Sequence, residues 1–93
     1  MFRHIVLFRI HDDVGDARVD AAIDMLQGFA AFPGVVSWIT TRSLDERKGR
    51  VVIEEATFES RGAFERFRGD PAHVRAAKTM AEIADWWIGD YEA

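Results

Sequence analysis

Residues 2–11 read Phe2-Arg3-His4-Ile5-Val6-Leu7-Phe8-Arg9-Ile10-His11, and how this stretch alternates decides the architecture. A β-strand sends successive side chains to opposite faces. Phe2, His4, Val6, Phe8 and Ile10 therefore share one face, and Arg3, Ile5, Leu7, Arg9 and His11 share the other. Both faces are apolar at their centres, as expected of a strand covered on two sides.

Downstream, His11 to Asp16 reads as a turn, with Asp16 a candidate helix cap. From Ala17 to about Phe32, Val19, Ile23, Leu26 and Ala30 recur at the spacing of an amphipathic helix, which Pro33-Gly34 stops. Val35 to Leu44 alternates as a second strand, placing Val36, Trp38 and Thr40 opposite Val35, Ser37 and Ile39. A charged hairpin loop, Asp45 to Gly49, leads into a third strand over Arg50–Glu59. Its face Val52, Glu54, Ala56 and Phe58 is apolar but for one carboxylate. Ser60 is placed to cap a short helix carrying Phe64 and Phe67. Gly69 breaks that helix, and Asp70-Pro71 restarts it with a capping residue and a proline at the first helical position. The restarted segment extends to about Ala84, and Trp86 to Tyr91 is bulky enough for a fourth strand. The order β-α-β-β-α-β predicts a ferredoxin-like α+β sandwich, a four-stranded antiparallel sheet with helices on one face, as a single domain over residues 1–93.

The composition narrows the function classes. Of 93 residues, 48% are hydrophobic and 30% charged, a globular balance. A net charge of −4 argues against a nucleic-acid partner. No apolar run approaches the ~20 residues of a membrane span, and the charged opening does not read as a signal peptide, so no membrane partner and a cytoplasmic location are expected. The absence of cysteine excludes a disulfide framework, a thiolate nucleophile and Cys-ligated metal. Ile5, Leu7, Val51 and Ile53 leave the sheet face away from the helices apolar. Packing of two such faces across a twofold axis would cover it, so a homodimer through the sheet face is expected.

Five stretches in order resemble one family: His4-Ile-Val-Leu-Phe8, Phe32-Pro-Gly-Val35, Ala56-Thr-Phe-Glu-Ser60, Asp70-Pro-Ala-His-Val74 and Asp85-Trp-Trp-Ile-Gly-Asp-Tyr91. Together they are similar to the stress-responsive A/B barrel (Dabb) family over nearly the whole chain. The resemblance implies a dimeric α+β barrel with a cleft between sheet and helices in each subunit. It leaves activity open, because the family spans plant stress proteins, cyclases of polyketide chains and bacterial members of no clear role.

Histidine suits acid–base chemistry near neutrality. His4 lies on the apolar face of the first strand, and His73 lies in the first turn of the restarted helix, on a stripe with Ala77, Met80 and Ala84. Both are expected to face the sheet–helix space. In cyclising relatives the matching histidines line the pocket, which makes His4 and His73 candidate catalytic residues. The tyrosines those relatives carry on the first and second helices are replaced here by Leu26 and Phe67. Glu54 stands where relatives usually carry an apolar residue, and a buried carboxylate needs a partner, His4 or His73. Val6, Phe8, Leu26, Trp38, Phe67 and Met80 are the expected substrate contacts.

The favoured expectation is a binder or cofactor-free acid–base enzyme of cyclase or isomerase type, taking a flat, carbonyl-rich small molecule. His4 and His73 would act as acid and base, with Glu54 orienting them. A stress or assembly protein with structural histidines, and a monooxygenase on the same barrel, are the alternatives. Neither a cofactor nor a metal is implied: His4, Glu54 and His73 are of ligand type, but no spacing makes them converge.

Overall fold

The computed structural model describes residues 1–93. The opening stretch forms β1 (Phe2–Ile10), and α1 (Asp16–Gln27) follows a short turn. A 3₁₀ turn over Gly28–Ala31 then leads to β2 (Val35–Arg42), which pairs in a hairpin with β3 (Val51–Phe58). Two consecutive helices, α2 (Arg61–Gly69) and α3 (Pro71–Ala81), precede β4 (Ala84–Glu92). All strand pairings are antiparallel, in the order β2-β3-β1-β4. The fold is the ferredoxin-like sandwich that the element order predicts, with β1 and β3 at its centre.

Alternation on β1 follows the sequence reading. Phe2, His4, Val6, Phe8 and Ile10 are all buried under the helices, whereas Leu7 on the opposite face is 43% exposed. The inner face supports two hydrophobic clusters. One is largely aliphatic and joins Val6, Phe8 and Ile10 to Val19 and Leu26 of α1 and to Ala76 and Met80 of α3. The other is aromatic and joins Phe2 and Phe58 to Ala63, Phe64 and Phe67 of α2.

Four local expectations are corrected. Asp16 is the first residue of α1 rather than its cap; Gly15 precedes the helix and no side chain caps it. The Asp16 carboxylate instead meets Arg50 at 3.0 Å and Arg42 at 3.3 Å, which tie the start of α1 to β3's leading edge and to β2. Hydrogen bonds from Arg50 and then Arg42 hold its carboxyl below the ordinary 3.8. The first helix stops at Gln27, because the chain tightens into the 3₁₀ turn ahead of Pro33, whose neighbour Phe32 must be extended. A bulge between Val35 and Ser37 interrupts the β2 alternation. Val35 thus packs on the aromatic cluster beside Trp38, and Val36 is 50% exposed. Finally, α3 ends at Ala81 rather than Ala84, and the fully buried Ile83 turns the chain into β4.

The helix starts behave as their sequence dictates. Ser60 accepts from the Ala63 amide at 3.1 Å, and Asp70 accepts from the Ala72 amide at 2.8 Å with Pro71 at the first helical position. Gly34 adopts φ +88°, and a Cβ built there would lie 2.7 Å from that of Ala63. This glycine lets α2 close onto the turn before β2.

Candidate functional site

His4 and Glu54 occupy the seam between the two clusters. His4 stands on β1 between Phe2, of the aromatic cluster, and Val6, of the aliphatic one. Glu54 stands on β3 between Val52 and Ala56, which divide in the same way. The β1–β3 register sets Val6 opposite Glu54 and Ala56 opposite His4, so the two polar side chains are diagonal neighbours on the inner face. His4 Nε2 lies 3.3 Å from Glu54 Oε2, and the residues are only 4% and 3% exposed. The carboxylate thus finds its partner in His4 and not in His73.

The other imidazole nitrogen has a partner that the sequence reading missed. The β1–β4 register sets His4 opposite Asp90, and His4 Nδ1 lies 2.6 Å from Asp90 Oδ1. Asp90 is legible only once that register is known: parity places Ala84, Trp86, Ile88 and Asp90 on the inner face of β4, but sequence does not say which of them meets His4. Burial disfavours the charged ring, yet hydrogen bonds and charge from Glu54 and Asp90 outweigh it. His4 is thereby held above its ordinary pKa of 6.5.

A cavity of about 180 Å³ opens beside this trio. His4, Glu54 and Asp90 contribute to its wall, as do His73, Arg68, Phe64, Ala76, Ala77, Trp86 and Ile88. Val6, Phe8, Leu26 and Met80 also face it, whereas Trp38 and Phe67 do not line it. Phe67 is fully buried and backs the site, its ring 4.4 Å from that of His73. Trp38 packs on Phe67 and Phe58 and donates its indole N–H to Thr40 Oγ1 at 2.9 Å.

His73 is half-buried at the start of α3. Its Nδ1–H donates to the Arg68 carbonyl at 3.0 Å, across the break between the two helices. The cap at Asp70 fixes the turn that presents the ring, and Nε2 has no partner within the chain. His4 and His73 thus border one cavity in different settings: both nitrogens of His4 are held by carboxylates, and His73 has one nitrogen free. No group of three or more His, Asp or Glu side chains is arranged to hold a metal ion. No helix is long and apolar enough to cross a membrane.

Solved structures share this architecture. A dimeric ferredoxin-like protein of unknown function from Thermobifida fusca is 23% identical, with a TM-score of 0.86 over 99% of this chain and 90% of its own. Hydroxynitrile lyase from Passiflora edulis is 23% identical, with a TM-score of 0.84 over 97% and 90% of the two chains. The cofactor-independent oxygenase SnoaB from Streptomyces nogalater is 20% identical, with a TM-score of 0.79 over 99% and 91%. At these identities the likeness is one of fold, and the named activities are those proteins' own. The model of the stress responsive A/B barrel domain matches residues 2–93. The chain belongs to the stress responsive A/B barrel domain family.

Proposed function

We propose that the cavity binds a small carbonyl compound and moves a proton on it without a cofactor. One observation carries this role: two histidines far apart in the chain border a single apolar cavity, one locked between the buried Glu54 and the more exposed Asp90 and the other with a free ring nitrogen. Such a division suits an acid–base pair, because environment sets the two imidazoles apart. His73 Nε2 takes a proton from the carbon next to the carbonyl. The proton shared between His4 Nε2 and Glu54 passes to the carbonyl oxygen, giving the enol. Asp90 accepts from His4 Nδ1 and keeps the ring oriented throughout. The exchange is proton-neutral and needs no oxidant. The cavity's size restricts the substrate, since roughly 150 Å³ is enough for a benzene-sized ring and little more.

The ring of His73 packed on Phe67, with Nδ1 bonded to a carbonyl, also fits a purely structural role, and the two are separable. A thermal-shift screen of single-ring carbonyl compounds should raise the melting temperature of the wild type by mass action. In His73→Ala the shift should vanish while the unliganded protein keeps its fold. No shift across the panel, or collapse of His73→Ala, assigns the histidine to structure.

The second component is a homodimer through the outer sheet face. Leu7, Ile39, Trp87 and Tyr91 stand 43%, 51%, 67% and 51% exposed on that side, more apolar surface than a monomer comfortably leaves to water. The Thermobifida neighbour is described as dimeric.

A further inference from the structure

We propose that Arg68 anchors a carboxylate at the mouth of the cavity, so that the preferred ligands are single-ring acids with the ring inside and the acid group at the rim; this rests on the small-molecule reading above. Arg68 is the one Lys or Arg on the cavity wall. Its Cζ lies 5.6 Å from the centroid of the Phe64 ring, which also faces the cavity. Stacking on an aromatic face orients the guanidinium plane and leaves its N–H edge free to donate. Arg68, Phe64 and Asp90 also border an adjoining surface depression with Arg61 and Tyr91, which places Arg68 at the opening rather than the floor.

The charge of Arg68 is unspent. Arg18, Arg42, Arg47, Arg50 and Arg61 each meet a carboxylate of the chain, whereas no acid lies within ion-pair distance of Arg68. Asp90, which borders both the cavity and that depression, has Oδ1 engaged by His4. A planar fork beside an apolar chamber matches a carboxylate carried on a ring, and it does so bidentately, as a lysine would not. Glu54, only 3% exposed, sets the opposite requirement deeper in, where a second anionic group would be repelled. The ligand class is therefore a monoacid.

The backbone carbonyl of Arg68, not its side chain, holds His73. Substitution of the side chain thus leaves the histidine's hydrogen bond in place. Binding of benzoate and salicylate to the full chain, measured by calorimetry at low salt, is compared with that of their methyl esters. The wild type should prefer each acid over its ester by roughly tenfold or more, the scale of a charge-assisted hydrogen bond. Arg68→Met, which keeps an apolar stem over Phe64, should abolish that preference and leave ester affinity unchanged. Equal binding of acids and esters by the wild type overturns the anchor even if no variant folds, as does a preference that survives in Arg68→Met; the small-molecule reading then stands. Absence of binding by all four compounds overturns both.

Discussion

His4 has each ring nitrogen against a carboxylate from a different strand, Asp90 on β4 and Glu54 on β3, so its protonation is tied to the folded state. Its folded pKa is raised above 6.5 against the pull of burial, because Glu54 and Asp90 favour the charged ring more strongly. The sign follows directly: the stability this group supplies is fully present below its unfolded pKa of 6.5 and is lost as pH rises through the higher folded value. Asp90→Asn should lower the His4 pKa, seen in an NMR titration of the ring protons. The same change should destabilise the protein by about 1.5–3 kcal/mol in urea melts on the acidic side of that window, and by less on the alkaline side. An unmoved titration would show that the short contact contributes nothing to the charge on His4. Such a trio has a cost, since the His4 ring and the Glu54 carboxylate are both taken from water to form it.

At the scale of elements, what could be read from the chain was whatever short-range pattern dictates. The two-residue period of β1, the Ser60 and Asp70 caps and the proline at the start of α3 are local, and each appears as its residues require. The burial of Glu54 and its partnership with His4 were among the alternatives the sequence left open, because the inner faces of β1 and β3 are both marked by their apolar neighbours. Asp90 was not legible. Its role depends on β1–β4 register, a long-range quantity, and at the end of a strand it resembles a solvated aspartate. The β2 bulge was hidden for a related reason: alternation through Val35, Val36 and Ser37 reads equally well with or without one extra residue. The turn before β2 is more strictly specified. Gly34→Ala must hold a left-handed conformation while its methyl group meets Ala63, so it should cost about 1–3 kcal/mol of stability in denaturant melts. A loss within a few tenths would mean that α2 shifts freely to make room.

For the molecule as a whole, the two faces of the central strand differ, one buried under the helices and the other carrying partly exposed aliphatic side chains. The helices cover Val6 and Phe8, and the other side of β1 offers Ile5 and Leu7. On the proposed sheet-face homodimer, Leu7→Asp should yield monomers or aggregate, measured by analytical ultracentrifugation; a stable dimer carrying that charge would place the subunit contact elsewhere. The inner side is organised differently, as two packed clusters with a polar seam between them. Each cluster has its own helix contacts, the aromatic one through α2 and the aliphatic one through α1 and α3. The side chains that decide the cavity's chemistry are therefore not the ones that hold the helices to the sheet. A lineage built on this plan can exchange the residues of the seam one at a time while both flanking clusters keep their shape, so that new chemistry arises without a new fold.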